Sequence, residues 1–339
     1  MRAAVFSGPR SIEVAGRPDP VVAAPTDAVV RVVLACVCGS DLGYYWGESP
    51  HALGPIGHEF VGVVDQVGVE VQDIAEGDLV VAPFKFSDGT CANCRAGWTS
   101  SCLAGGAFGT DGFDGGQGQA LLVPFADATL VVVPGSGHSD ETMASVMALS
   151  DVMPTGHHAA LSAGVVSGSV VAVVGDGAVG LCAVIAAGRL GAALVIALTR
   201  NPPHQALARS FGASDIVAER GDAATEAVLE LTDGVGVDAA LECVGTAQSF
   251  ATAFTVARPG ATVGSSGFPT ASRFRSTLCS PATSGCAAAV RPCAPTSLSS
   301  STTSWRVASS PAASSTSRPT STASRKRTPP RTSGARSNR

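Results

Sequence analysis

The chain has 339 residues, of which 45% are hydrophobic and 14% charged, and its formal net charge is −5. That length allows two domains and a sizeable core, and with no apolar run of about 18 residues it carries no helix long enough to span a bilayer. The apolar part of Met1–Gly8 is too short for a signal peptide, so a cytoplasmic location is expected, where ten cysteines suggest metal or thiol chemistry before disulfides.

Residues 1–150 read as a β-rich domain. Short apolar runs at Val29–Ala35, Phe60–Val67, Leu79–Pro83, Leu121–Pro124 and Leu130–Pro134 are bounded by turn residues, the pattern of strands in a compact barrel or sandwich. Between the first two runs stand Cys38-Gly39-Ser40-Asp41 and Gly57-His58-Glu59. A thiolate, an imidazole and a carboxylate this close in sequence suit zinc, and a catalytic zinc takes three protein ligands with one position open. The plainer alternative makes Cys38 an apolar filler and His58 a satisfied loop histidine.

Asp88, Cys91, Cys94 and Cys102 follow with the spacing Asp-x2-Cys-x2-Cys-x7-Cys. Two cysteines two residues apart close on one ion, and a distant ligand completes a tetrahedron, so this is a candidate closed, structural zinc site; a cluster of free thiols is the alternative. Met143–Ser162 reads as helical and contains Asp151 in apolar surroundings. A carboxylate there is costly unless it is paired or bound to a metal, or serves as a helix N-cap.

Residues 151–270 read as a doubly wound α/β domain. Val170–Val174 is a β-branched run leading into Gly175-Asp176-Gly177-Ala178-Val179-Gly180, with the apolar Leu181–Leu190 as the next helix. Strand, Gly-x-Gly-x-x-Gly and helix in that order form a dinucleotide fingerprint. Gly175 allows the turn, Gly177 lets the pyrophosphate approach, Gly180 lets helix and strand pack, and Ala178 and Val179 open the helix whose N-terminus receives the anion. Strands at Leu194–Leu198, Ile216–Val217, Val237–Glu242 and Ala261–Gly264 alternate with helices at Gln205–Phe211, Ala223–Leu231 and Phe250–Ala257, as in a parallel sheet covered on both faces. NAD sites usually place an acid at the end of the second strand. Here Thr199-Arg200 stands there, and both could donate to a 2′-phosphate; the expected coenzyme is therefore NADP, with NAD second.

These segments, over residues 1–270, resemble the zinc-containing medium-chain alcohol dehydrogenases, which join a GroES-like β domain to a Rossmann domain. The resemblance implies a catalytic zinc on Cys38, His58 and Asp151, with Glu59 as an adjacent exchangeable ligand and Ser40 in the proton relay. It also implies a structural zinc on Cys91, Cys94 and Cys102, where Asp88 replaces the first cysteine. The family histidine five residues after the first zinc cysteine is Gly43 here, followed by Tyr44-Tyr45-Trp46, rings that either line the substrate pocket or serve in packing. The implied reaction is hydride transfer between an alcohol and its aldehyde or ketone: zinc favours the alkoxide, hydride passes to the nicotinamide, and Ser40 accepts the proton. The family is homo-oligomeric, and no membrane or nucleic-acid partner is expected. A zinc-independent quinone reductase of the same fold is the second reading, against which the joint presence of Cys38, His58 and Asp151 counts.

Residues 271–339 differ in kind. The first 270 residues carry all 27 acidic and 11 of the 22 basic residues, and the remainder carries the other 11 basic residues and no acid. Ser, Thr, Pro, Ala and Arg dominate, as expected of a disordered basic tail. Such a tail could bind nucleic acid, yet it has no aromatic interleaving. Read in a shifted frame from GC-rich codons, the segments after Ser280 and Trp305 look like the C-terminal part of the family, which points to a frameshift between about Gly264 and Ser280. The expected consequence is loss of the family's dimer-forming edge and an unpaired strand at the border of the sheet.

Overall fold

The computed structural model describes residues 1–110 and 112–266, and the backbone alone of 291–292 and 303–306. The expectation of a disordered tail, and the nucleic-acid alternative set aside for it, otherwise fall outside the described residues.

The N-terminal part is built from antiparallel strands. β1 (Arg2–Gly8) and β2 (Ser11–Gly16) form a hairpin, and β1 also pairs with β4 (Gly54–Pro55). The main sheet has the order β10-β6-β5-β3-β9, from β3 (Ala28–Cys36), β5 (Glu59–Val67), β6 (Leu79–Val81), β9 (Ala120–Val123) and β10 (Val131–Val132). Alternate residues of these strands, among them Val30, Phe60, Val64, Val80 and Leu121, bury a core around Phe86 and Phe108, the period of two that a half-buried strand imposes. The ribbon β7 (Lys85–Phe86) and β8 (Gly106–Ala107) flanks the short helix α2 (Ala92–Arg95), and α3 (Ala126–Thr129) follows β9. The pairing of Cys36 with Glu59 across β3 and β5 fixes the site. It brings the start of α1 (Gly39–Trp46) and the loop bearing His58 to one end of the sheet.

The continuous helix expected over Met143–Ser162 is broken into α4 (Asp140–Met147) and α5 (Val152–Ser162). Asp151 occupies the N-cap position of α5 without capping it by its side chain. The interruption turns that carboxylate towards the β-rich domain, where its partners are.

Beyond it lies a parallel sheet: β11 (Val170–Val174), β12 (Leu194–Leu198), β13 (Asp215–Val217), β14 (Val237–Glu242) and β15 (Ala257–Ser265), in the order β13-β12-β11-β14-β15. It carries α6 (Ala178–Arg189), α7 (Pro202–Ser210), α8 (Asp222–Leu231) and α9 (Ala247–Val256). One face, with Val171, Val173 and Leu241, packs on Ala183, Ala186 and Ala187 of α6; the other, with Ala172, Ile196 and Val263, packs on Val228 and Val256. This is the doubly wound arrangement with crossovers on both sides. α5 lies so close to α6 that a Cβ on Gly156 would stand 2.6 Å from the Ala183 nitrogen.

The sheet border expected to be unpaired is covered. β17 (Thr303–Arg306) pairs antiparallel with β15, Val263 opposite Trp305, and β16 (Arg291–Pro292) pairs with β17. The chain supplies its own strand to satisfy the exposed N–H and C=O groups of β15, which an open edge would leave without partners.

Candidate functional site

Four residues from three separate stretches of the chain converge where the two domains meet. One ligand atom from each of Cys38, His58, Glu59 and Asp151 lies within 4.8 Å of all the others. Cys38 Sγ is 3.7 Å and His58 Nε2 3.5 Å from Asp151 Oδ2. The far side of His58 faces a second carboxylate, with Nδ1 3.6 Å from Asp41 Oδ1. Asp41 in turn accepts the Cys38 N–H at 3.0 Å and Gln117 Nε2 at 3.2 Å. Asp151 is held from behind by the Thr155 hydroxyl, which donates to Oδ1 at 2.6 Å. Sequence reasoning does not single out Asp41, Gln117 or Thr155. Asp41 is visible as the acid closing Cys38-Gly39-Ser40-Asp41, whereas Thr155 becomes a neighbour of Asp151 only once α5 has formed.

The electrostatics suit a cation. Burial opposes charge on His58, yet its contacts with Asp151 and Cys38 push its pKa up to about 11. Burial would raise Asp151, but the His58 and Thr155 contacts outweigh it and hold the carboxylate below its ordinary range. Burial raises Asp41, and burial together with the Asp151 charge raises Glu59. Glu59 Oε1 is buried with no hydrogen-bond partner, a costly state that a cation relieves. Sulfur, imidazole and carboxylate around such an orphaned oxygen fit zinc. Ser40 sits half-buried in the first turn of α1, two residues after Cys38.

The second cluster is Asp88, Cys91, Cys94 and Cys102, whose ligand atoms also lie within 4.8 Å of one another. Cys91 Sγ and Cys102 Sγ are 3.9 Å apart. Backbone N–H groups already point at these ligands: Cys91 N–H to Asp88 Oδ1 at 2.9 Å, Cys94 N–H to Cys91 Sγ at 3.5 Å and Asp88 N–H to Cys102 Sγ at 3.2 Å. The N–H groups of Cys91 and Thr90 hold Asp88 well below the usual carboxylate range, and those of Leu103 and Cys94 lower Cys91. Burial, with Asp88 beside it, pushes the Cys94 thiol up to about 12. Three sulfurs and a carboxylate held this way suit a closed tetrahedral ion.

The glycine turn forms as its pattern requires. Gly175 has φ +121°, and a Cβ there would stand 2.7 Å from Val244 Cγ2. A Cβ on Gly180 would stand 2.2 Å from the Gly175 carbonyl oxygen, so only glycine allows α6 to pack against the end of β11. At Gly177 a Cβ would meet nothing within 4 Å. That space lies at the start of α6, where Ala178 and Val179 present the helix N-terminus, and it fits a pyrophosphate. Beside it is a cavity of about 580 Å³, lined among others by Asp176, Thr199, Arg200, His204, Glu219 and Arg220. The Thr199 hydroxyl donates to Asp176 Oδ2 at 2.6 Å, and His204 Nδ1 is 3.4 Å from the same oxygen. Glu242, fully buried, accepts the N–H groups of Val244 and Gly245 at 2.9 and 2.8 Å and the Ser265 hydroxyl at 3.1 Å. It thereby fixes the loop that brings Val244 and Thr246 to the cavity wall. Asp176, His204, Arg220 and Glu242 carry no signal of this role in the sequence.

On α1, the Tyr44 ring stacks on His51 at 4.3 Å, and Tyr45 meets Trp46 edge to face at 4.9 Å. The Arg10 guanidinium lies 5.0 Å from the Trp46 ring centre. Among the described residues no helix is long and apolar enough to cross a membrane.

The comparisons with known proteins agree with this geometry. Residues 24–135 match the alcohol dehydrogenase GroES-like domain family, and residues 178–282 match the zinc-binding dehydrogenase family. A medium-chain reductase/dehydrogenase from an Acremonium species is 38% identical over 276 residues, covering 79% of this chain and 93% of that protein. A probable zinc-binding alcohol dehydrogenase of Mycobacterium tuberculosis is 37% identical over 265 residues, covering 78% of this chain and 67% of the relative. Among solved structures, an alcohol dehydrogenase from Thermus sp. ATN1 superposes with a TM-score of 0.70 at 36% identity, covering 77% of this chain and 75% of that one. A putative zinc-binding dehydrogenase from Sinorhizobium meliloti, bound to NADP, gives 0.69 at 28% identity, with 80% and 78% covered.

Proposed function

Since the chain belongs to the zinc-binding medium-chain alcohol dehydrogenase family, we propose that it catalyses reversible hydride transfer between a small alcohol and NADP at a zinc held by Cys38, His58 and Asp151. The observation that carries this reading is the convergence of those three residues and Glu59 within 4.8 Å. When bound, zinc supplies a Lewis acid that lowers the pKa of an alcohol, and the nicotinamide supplies the hydride acceptor.

The chain's own residues do the rest. Asp41 and Asp151 orient the His58 ring from both sides, and Thr155 orients Asp151. Glu59, whose Oε1 is buried without a hydrogen-bond partner, would serve as an adjacent, exchangeable ligand. Ser40, half-buried in the first turn of α1 two residues after Cys38, takes the alcohol proton. Gly175, Gly177, Gly180, Ala178 and Val179 hold the pyrophosphate, and Arg200, exposed beside the cavity, meets the 2′-phosphate near Thr199. The NADP bound by the Sinorhizobium meliloti relative supports that choice. Asp88, Cys91, Cys94 and Cys102 hold a second, structural zinc. The domains divide at 150/151, so that Asp151 carries the second domain's ligand across to the first. We assign the protein to the cytoplasm, a reading that the seven free described cysteines support.

The test is Cys38→Ser, with zinc counted by elemental analysis, turnover measured on a panel of alcohols, and NADP binding followed by nicotinamide fluorescence. One zinc per chain and turnover are expected to be lost while NADP binding persists. Equal loss of turnover and NADP binding would remove Cys38 from the role of a catalytic zinc ligand.

A further inference from the structure

The end of the second strand of the parallel sheet carries no acid, because Thr199-Arg200-Asn201 stands there. The fold supplies one from elsewhere. Asp176, the middle residue of the Gly-x-Gly turn after β11, lines the cavity and accepts the Thr199 hydroxyl at 2.6 Å. Resting on the reading of that cavity as the adenosine end of the coenzyme site, we propose that Asp176 sets coenzyme selectivity: with Thr199 it forms an accepting pair for an unphosphorylated ribose, so the chain takes NAD as well as NADP.

The argument is one of donors and acceptors. A threonine hydroxyl has a single hydrogen. Thr199, only 3% exposed, gives its hydrogen to Asp176, so towards the cavity it can only accept. Two adjacent acceptors, one of them charged, match the donating hydroxyls of a ribose and oppose a phosphate, which is itself an acceptor. The same cavity offers the guanidiniums of Arg200 and Arg220, which do match a phosphate.

The charges lining it come close to cancelling. Asp176 and Glu219 face Arg200 and Arg220, with His204 Nδ1 3.4 Å from Asp176 Oδ2. A site devoted to the 2′-phosphate would show a surplus of positive charge. This one combines a hydroxyl-reading wall from β11 and β12 with a phosphate-reading rim, and Asp176 is the group whose charge decides between them.

The test uses the full chain and calorimetric titration with two fragments that lack nicotinamide, ADP-ribose and 2′-phospho-ADP-ribose. The intact chain is expected to bind both with affinities within about tenfold of each other. Asp176→Asn removes one charged acceptor, a change worth roughly ten- to a hundredfold, and is expected to move the ratio by that factor towards the phosphorylated fragment. Asp176→Ser serves the same purpose if the Asn variant does not fold. An unchanged ratio in both variants, an equal weakening of both fragments, or an intact chain that binds only the phosphorylated fragment would each overturn the proposal. If neither fragment binds the intact chain, the coenzyme reading itself fails, and the proposal falls with it.

Discussion

Asp151 Oδ2 stands 3.5 Å from His58 Nε2, and this contact joins the start of α5 to the loop before β5. An imidazole offers two nitrogens, and the second faces Asp41 Oδ1 at 3.6 Å. A carboxylate behind a metal-binding histidine fixes its ring and raises its basicity. The same logic applies to Thr155, whose hydroxyl fixes Asp151.

If the proposed zinc sits at this cluster, Asp41→Asn and Thr155→Val should therefore weaken its binding without removing a ligand. Loss of such a supporting contact typically costs about 10–100-fold in metal affinity. Competition with a chromogenic chelator measures it. Ligation also requires His58 to shed the proton that its neighbours favour, so zinc uptake should release protons and weaken as pH falls. Unchanged affinity in both variants would mean that these groups only fill space.

Cys94→Ala should remove the second zinc while sparing the first. The cluster joins α2 to Cys102 through contacts that backbone N–H groups already orient. Loss of a structural ion from a lobe of this size is expected to cost about 2–3 kcal/mol, or roughly 3–5 °C in Tm for a chain of this length. Elemental analysis and calorimetry on one preparation test it, because a zinc count unchanged in the variant would show the lobe to be empty in the parent.

Gly180→Ala and Gly188→Ala form a matched pair on α6. At Gly180 the new methyl would stand 2.2 Å from the Gly175 carbonyl oxygen, whereas at Gly188 it would meet nothing within 4 Å. Overpacking of this kind costs about 1–3 kcal/mol, and displacing the helix start should weaken NADP binding as well. The Gly188 change should stabilise by about 0.5–1 kcal/mol, because alanine is the better helix former. Denaturant titration of both variants separates backbone contact from helix propensity.

The parallel sheet is legible in the sequence because short apolar runs such as Val170–Val174 and Leu194–Leu198 alternate at regular spacing with longer stretches of helix-forming residues. Cys38, His58 and the cysteine lobe are legible because their potential ligand side chains cluster in sequence. What the sequence does not reveal depends on chain reversals. The break before α5 has no proline or glycine of its own at Leu149-Ser150-Asp151, and its purpose lies in the other domain. Asp176 looks like a filler between glycines, because its partner Thr199 lies on the next strand. The strand β17 is hidden in a segment without hydrophobic periodicity, since pairing at a sheet edge needs only free backbone groups.

Arg200→Asp should shift coenzyme preference towards NAD. On the proposed reading, exchanging a donor for an acceptor would remove the charge-assisted contact to the 2′-phosphate and add a repulsion, together worth roughly 100-fold or more in the ratio of kcat/KM values. Steady-state kinetics with both coenzymes read it directly. A ratio that does not move would show Arg200 to be a solvated cation on the cavity rim.

The pair Asp238 and Arg258 gives a pH dependence with a definite sign. Arg258 Nε donates to Asp238 Oδ1 at 2.7 Å, and the Val170 N–H donates to Oδ2 at 2.8 Å. Partial burial would raise Asp238, yet these two contacts hold it below its ordinary value. A carboxyl depressed in the folded state adds stability above its unfolded pKa of about 3.9 and loses it as pH falls through the folded value. Asp238→Asn keeps an acceptor for Val170 and removes only the charge. Because the pair is partly exposed, the variant should be less stable by about 0.5–1 kcal/mol at neutral pH. That gap should hold down to about pH 5 and close below about pH 4. Urea titrations across that range follow it, and a gap that persisted in acid would mean that the asparagine disturbs packing beside β11 instead of removing an ion pair.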